Sequence, residues 1–499
     1  MELGRTLCIQ GSLAQSVQHL RRAISGQPGV AAAHYHLGYA LCEQGHVAES
    51  IECFRRAAAL KPGYSDALMN RAFAMNYDPD SGPGDLYQAH RNWGALFPPV
   101  ETLQKAHTKN RNPKKRLRVG YVSGDFCDHA VNYYFEPLLA GHNYDDFEIF
   151  CYSSLPKAAE DEITARLRGY PVRWTSICRA SDQAAAARIS ADRIDILIDL
   201  GGYTARSRLT VFAHKPAPVQ ITWLGYCNTS GLAAMDYRIT DAIVDPEGTE
   251  VYNREALFRV RPPYLCYRPF PDAPPVSAPP ALASGHITFG SFNNLPKLTP
   301  AVIQLWAALL HAVPGSRLVI KAVQMRDVPT AKALRDQFAR HGIAADRIDL
   351  LAWRVWTVHH LARYGLIDIA LDPFPYTGVT TSCEAMWMGV PVVTLRGDRP
   401  AARVGASFLH AVGLDDLVTD DAESYLRTAA SLAQNPNRLT ELRFQLRERM
   451  RTSALCDEAG FARAMEQAYR QMWRAWCSSN TGRSSPIPSP ALREGGGRG

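Results

Sequence analysis

An α/β protein with two Rossmann-like lobes in series, preceded by an all-α repeat segment, is predicted by three observations. From residue 117 onward short apolar runs alternate with helix-like stretches, a proline-rich passage interrupts the alternation once, and before residue 100 small residues recur at a constant spacing. Runs that are apolar on both faces and separated by helices belong to parallel sheets covered on both sides.

The repeat comes first in the chain. Shifting residues 31–62 onto the segment before them superposes Gly38 on Gly4, Leu41 on Leu7, Gly45 on Gly11, Phe54 on Leu20, Ala57 on Ala23 and Pro62 on Pro28. Small residues at such places let two helices approach, and the proline ends the second. The spacing resembles the tetratricopeptide repeat. The first copy lacks its opening residues, and a third, "DALMNRAFAMNY", degrades after Tyr77. Because such units are stable only when stacked, the short array is expected to lean on the next domain.

The strands of the first lobe are expected at 117–123, 147–153, 194–200 and 219–225. After "RPFPDAPPVSAPPALASG", which reads as a linker, those of the second are expected at 286–292, 317–322, 347–352, 366–372 and 391–395. The resulting plan is a repeat segment over 1–99, a basic linker over 100–116, a first lobe over 117–272, a second over 286–455, a helix over 456–477 and a disordered tail over 478–499, rich in Ser, Pro and Gly.

Composition narrows the function class. At 499 residues, 46% hydrophobic and 21% charged, the chain has material for about three domains. No apolar run is long enough to span a bilayer and "MELGRTLCIQGSL" lacks a signal peptide's core, so a soluble, cytoplasmic protein without membrane attachment is expected. Eleven cysteines without a CxxC pair fit neither a disulfide framework nor a zinc site and read as reduced core residues. The net charge of +7 equals the seven Lys or Arg of "QKAHTKNRNPKKRLR" (104–118), which reads as a solvated interdomain linker in preference to a nucleic-acid contact.

In open parallel sheets ligands bind beyond the carboxyl ends of the strands. In "DPFPYTGVTTSCEAMW" (372–387) a strand gives way to two prolines, Gly378, and a helix opened by Thr380 and Thr381. Such a start is either an anion site, through backbone N–H groups and the helix dipole, or an ordinary threonine cap. Lys297, in "SFNNLPKLTP", lies just beyond another strand, within reach of a diphosphate held there. His360 and Arg363, in "HHLARYG", share a helical face that either grips a base, ribose or phosphate or is simply solvated. There is no G-x-G-x-x-G fingerprint after a strand and no Walker A loop. In the first lobe Asp125, Asp128 and His129 follow the first strand; His129 is a candidate general base or orienting donor, since imidazole titrates near neutrality. "IDLGGYT" offers Tyr203 and Thr204, and "WLGYCNTSG" offers Tyr226, Asn228, Thr229 and Ser230, as contacts to a sugar or acceptor.

Taken together, "RLRVGYVSGDF..H", "HKPAPVQITWLGY..TSG...MDY.ITD", "FNN..K" and "ALDPFPY.G.TTSCEAMWMGVPVVTL" followed by "RVGAS" resemble, in order and over roughly residues 31–475, the O-linked N-acetylglucosaminyltransferase family. That family, here of the SPINDLY-like and bacterial type, fuses tetratricopeptide repeats to a two-lobed GT-B glycosyltransferase. The resemblance implies a UDP-N-acetylglucosamine donor held by the second lobe. Lys297 and the pair Thr380 and Thr381 would lie on the diphosphate, His360 and Arg363 near the nucleoside, Asn294 beside the uridine diphosphate and Glu384 near the ribose. Gly378 would belong to the donor loop, Tyr376 with Tyr203, Tyr226 and Thr229 to the sugar or acceptor pocket, and His129 would be the active-site base or substrate-orienting group. It implies inverting transfer to a Ser or Thr hydroxyl of acceptor proteins or peptides presented by the repeats and cleft. Lys297 and the helix start would stabilise the leaving phosphate in place of a metal, and no cofactor is expected. The one D-x-D, at Asp78 and Asp80, reads as a turn. Against the family's usual pattern stand Ala130 for Pro, Cys227 and Asn228 within the third loop, Val379 for a frequent His, and Ala402 for Ser. A related enzyme using another nucleotide sugar, glucose or fucose, and an inactive repeat scaffold remain the alternatives.

Overall fold

The structure is a computed structural model, describing residues 1–100, 111–352 and 357–479. It divides into two compact units, one built from 1–96, 133–137 and 265–460, the other from 97–132, 138–264 and the chain from 461 onward.

The unit holding the repeats opens with three helical hairpins: α1 (Glu2–Ile9) with α2 (Leu13–Gly26), α3 (Ala31–Glu43) with α4 (Val47–Leu60), and α5 (Ser65–Ala74) with α6 (Pro83–Gly94). The aligned glycines are packing positions. A Cβ on Gly38 would meet the Phe54 ring at 2.9 Å, and one on Gly4 would meet Leu20 at 2.6 Å. The sequence expects the repeats to lean on the next domain, but within this unit they pack against the second lobe. Gln44 donates to Thr330 (3.1 Å), Gln324 to Glu43 (2.9 Å), and the Ala14 N–H to Asp327 (3.2 Å). The loss of repeat pattern after Tyr77 has the same cause. There the buried Arg399 donates to the carbonyls of Met75 (3.4 Å) and Asp78 (2.9 Å), so the connection inside the α5/α6 hairpin serves as a docking site and departs from the repeat pattern. Asp78 closes the expected turn, accepting from the Asp80 N–H and the Ser81 hydroxyl.

The second-lobe sheet has six parallel strands. We number strands along the chain, so these are β8 (Thr288–Ser291), β9 (Arg317–Ala322), β10 (Ile348–Ala352), β11 (Ile369–Leu371), β12 (Val392–Leu395) and β13 (Val418–Thr419), in the order β10-β9-β8-β11-β12-β13. The order reverses between β8 and β11, which is where an open α/β sheet leaves a crevice. The proline-rich linker is docked on this lobe: Arg443, itself buried, donates to the Ser277 carbonyl (2.9 Å), and the Ala281 N–H donates to Asp368 (3.1 Å).

The other unit carries seven parallel strands, β1 (Leu117–Ser123), β2 (Phe147–Ser153), β3 (Val172–Ser176), β4 (Ile196–Asp199), β5 (Val219–Thr222), β6 (Tyr237–Asp241) and β7 (Ala256–Val260), in the order β3-β2-β1-β4-β5-β6-β7. The sequence pattern did not show β3, β6 and β7. The first is an edge strand with little buried surface, and β6 carries Arg238, buried because Asp245 pairs with it. The helix Glu458–Ser478 follows the second lobe in sequence, yet from Phe461 it belongs to this unit, burying Met465, Tyr469, Met472, Trp473 and Trp476.

Residues 101–110 of the basic segment and 480–499 of the expected tail lie outside the described residues. From 111 to 118 the segment is not a free solvated linker. Arg111 lies over the Trp476 ring (4.9 Å), Lys115 over Trp473 (5.1 Å) while pairing with Asp195 (2.6 Å), and Arg118 pairs with Glu148 (2.9 Å). Aromatic faces and carboxylates on the neighbouring elements hold these cations.

Candidate active site

In the second lobe the loops after β8 and β11, the two strands flanking the reversal, meet through one side chain. Asn293, buried just past β8, accepts with its Oδ1 from the Thr381 hydroxyl (3.1 Å) and from the Lys297 ammonium (3.3 Å). Lys297 also donates to the Thr377 carbonyl (2.7 Å) and lies 4.5 Å from the centre of the Tyr376 ring. Its turn, Leu295–Lys297, is fixed by burial of Leu295 and Pro296. The same turn leaves Asn294 exposed, so the hydrogen-bonding place next to Lys297 and Thr381 is taken by Asn293 and not by the residue singled out from sequence.

Thr380 and Thr381 are the first two residues of the helix Thr380–Trp387 and not its cap; Val379 precedes them, and no side chain caps the start. Both are half-buried. The first-turn N–H groups and the helix dipole therefore open beside Asn293 and Lys297, an arrangement suited to an anion. Beneath lies Asp372, fully buried, which accepts from the Gly378 N–H (2.8 Å), the Ser382 hydroxyl (3.0 Å) and the Thr394 hydroxyl (2.8 Å). This carboxylate shapes the loop and explains Gly378: a Cβ there would stand 2.7 Å from the Asp372 oxygen and 2.2 Å from Ser382 Oγ. The Phe374–Pro375 peptide of the same loop is cis.

His360 and Arg363 part company. The helix Thr357–Ala362 tightens into a 3₁₀ turn at Arg363, which leaves Arg363 exposed and His360 buried. His360 Nδ1 meets the Lys321 ammonium, and Nε2 lies 2.8 Å from Glu384 Oε2, which also accepts from the Tyr364 hydroxyl (3.2 Å). Lys321 donates to Nδ1, so the ring proton resides on Nε2 and points at Glu384. Burial pushes the Lys321 ammonium down to about 8, and the charge of Arg363 acts in the same direction. Sequence reasoning did not single out Lys321, whose place mid-strand in "RLVIKA" was the available signal.

The first-lobe loops have the same construction around a different carboxylate. Asp199, the last residue of β4, accepts from the N–H groups of Gly201 (3.1 Å) and Gly202 (3.0 Å) and from the Thr222 hydroxyl (3.0 Å). The polar residues expected to touch a sugar or acceptor are mostly occupied inside. The Tyr203 and Tyr226 rings stack (5.0 Å, 23°), both are buried, and the Tyr203 hydroxyl donates to the Ser230 carbonyl (3.0 Å). Thr229 is fully buried and donates to Glu255 (2.6 Å), which also takes the Ser230 N–H and hydroxyl. A buried carboxylate requires donors on its oxygens, and Glu255 draws them from this loop. Asp128 is exposed, and its N–H donates to Asp161 (2.6 Å). His129 keeps 40% of its side chain accessible; its Nδ1 accepts from the Val131 N–H (3.3 Å) and stands 3.9 Å from Asp125, which is paired with Arg206 (3.1 Å).

Burial pushes both loop-holding carboxyls, Asp199 and Asp372, up from 3.8 to about 6, against the hydrogen bonds that favour their charged forms. A carboxyl raised on folding binds its proton more tightly in the folded state. Its contribution to stability is therefore full below about 3.8 and lost as pH rises through about 6, at roughly 3 kcal/mol per group. In thermal unfolding from about pH 4 to pH 7, the stability difference between wild type and Asp372→Asn is expected to drift by an amount of that order in favour of the variant. A pH-independent difference would show that Asp372 is already charged at pH 4.

The model of "Glycosyl transferase family 41" matches residues 99–261 and 278–465, which include every strand and every loop above. The chain belongs to this family. A tetratricopeptide repeat model matches 31–64, the α3/α4 hairpin. Among family 41 relatives, the chain is 41% identical over 415 residues to a protein of Petunia hybrida and 42% identical over 431 residues to one of Oryza sativa subsp. japonica, each named "Probable UDP-N-acetylglucosamine--peptide N-acetylglucosaminyltransferase SPINDLY". These matches cover 82% and 85% of the chain but 44% and 45% of the relatives, so the chain spans somewhat under half their length. In fold the chain is similar to an O-GlcNAc transferase mutant of Thermobaculum terrenum, with a TM-score of 0.89, 36% identity, and 95% of this chain and 90% of the other covered. The two-lobed fold with its preceding helical repeats is thus a GT-B type fold shared within family 41.

Proposed function

We propose that the chain is an inverting glycosyltransferase that moves N-acetylglucosamine from UDP-N-acetylglucosamine to Ser or Thr hydroxyls of proteins. The observation that carries the reading is the convergence of a lysine and a helix start on Asn293, a seat with cationic and N–H donors for two linked phosphates. In the step, the acceptor hydroxyl oxygen attacks the anomeric carbon and its proton passes to solvent, while the bond from that carbon to the β-phosphate oxygen breaks and the electron pair leaves with UDP. Lys297 and the first turn of Thr380–Trp387 take the charge that develops there. The buried His360 and Glu384 serve the nucleoside side of the site, with Arg363 at its rim. No helix among the described residues is long and apolar enough to cross a membrane.

For His129 the geometry favours orientation over proton removal. With Nδ1 accepting from Val131, the ring proton resides on Nε2, which then donates toward an acceptor oxygen. A base would need the other tautomer, and Asp125 at 3.9 Å is too far to hold it by a hydrogen bond.

The test is incubation of the purified chain and a peptide library with a panel of labelled nucleotide sugars. Label is expected on Ser or Thr from UDP-N-acetylglucosamine. Labelling from a glucose or fucose donor instead would reassign the sugar, and absence of UDP binding in calorimetry would make the chain a repeat scaffold.

A further inference from the structure

We propose that the repeat segment is part of the donor-phosphate site, and that Tyr77 is a positioning residue acting on Lys297 through Tyr376. The inference rests on the assignment of Lys297 to the donor phosphates. Tyr77, buried just beyond α5, stacks on Tyr376 with ring centres 5.1 Å apart and planes at 27°. The Tyr376 ring in turn carries the Lys297 ammonium at 4.5 Å. A lysine has four rotatable bonds and loses rotamer freedom whenever its ammonium is held in one place. A ring fixed by a second ring confines the ammonium before any ligand arrives.

Two further contacts tie the same place to the repeats. Arg399 holds the carbonyls on either side of Tyr77, those of Met75 and Asp78. At the α3–α4 turn, Gly45, with φ +82°, leaves no side chain against the Leu295–Lys297 turn; a Cβ there would stand 3.4 Å from Leu295. The repeats thus reach the lysine from two sides, by its turn and by its ammonium. Family resemblance gives them the acceptor; the packing gives them the donor as well.

The full chain carrying Tyr77→Leu, which keeps buried volume without a ring, is titrated with UDP and separately with uridine, which lacks phosphates. UDP affinity and the donor KM are expected to weaken about 5-fold, the size of the lost aromatic pair that fixes the ring under the lysine. Uridine affinity and the acceptor KM are expected to stay as in wild type, and Tyr77→Phe to restore the UDP value. Unchanged UDP binding in Tyr77→Leu, or equal weakening toward UDP and uridine, would overturn the inference. A wild type that binds neither ligand would instead overturn the donor assignment. Should Tyr77→Leu lose its folded circular dichroism, Tyr376→Leu at the half-buried partner reads the same coupling in the UDP and uridine titrations alone, with the same expected and overturning results for those two ligands.

Discussion

Lys297→Ala is expected to lower transfer by about 10²- to 10³-fold in kcat, the range for removing one preorganised group that meets developing charge. The lysine is half-buried, and its ammonium touches the Thr377 carbonyl, the Asn293 amide oxygen and the Tyr376 face. Asp372 lies under the loop; burial holds its carboxyl above the usual range, against the pull of the Lys297 charge toward its ionised form. UDP binding is expected to fall along with rate, because phosphate charge exists before and after transfer. Lys297→Arg should recover little, since a planar fork does not fit where a point charge sits between a carbonyl and a ring. Single-turnover transfer and UDP calorimetry read the two effects; a variant with wild-type rate would remove Lys297 from the phosphate site.

His129→Ala is expected to cost about 10²-fold or more in kcat/KM while leaving UDP affinity intact. Two outcomes separate orientation from proton removal. If Nε2 donates to the acceptor oxygen, His129→Gln, which still offers an N–H, recovers part of the rate, and the acidic limb of the pH profile persists in both variants. If the ring takes the proton, glutamine recovers nothing and the limb disappears with the histidine. The Val131 N–H on Nδ1 predicts the first result.

How much of this was legible in the sequence depended on which force fixed each residue. Strands such as "IDILIDL" and "FEIFCYS" announced themselves because both faces are buried and the run is continuously apolar. "VRWTS" did not, since an edge strand buries little. Lys297, Thr380, Thr381 and His129 were put forward as site residues by a topological rule, that chemistry lies just past strand ends, together with family resemblance. The same rule missed Asp199 and Asp372, although an aspartate closing an apolar strand before a glycine loop was visible in both places. It credited the glycines to ligand approach when a buried carboxylate takes their N–H groups. Asn294 was preferred to Asn293 because only the turn geometry tells adjacent amides apart. Thr229 looked like a ligand contact because its partner Glu255 lies 26 residues on, just before β7, and pairing at that distance leaves no local pattern.

The helix that ends the described chain has a consequence for synthesis. From Phe461 it supplies Tyr469, whose hydroxyl lies 3.3 Å from that of Tyr121 in β1, and Trp473, which donates to the Asn112 carbonyl (3.0 Å). A ribosome makes β1 well before this helix, so the first lobe waits, with apolar surface uncovered, until the second lobe and the helix after it have emerged. The first lobe can therefore not be cut out as one continuous fragment, and a nonsense mutation shortly after Leu455 would damage the lobe that was synthesised before the other.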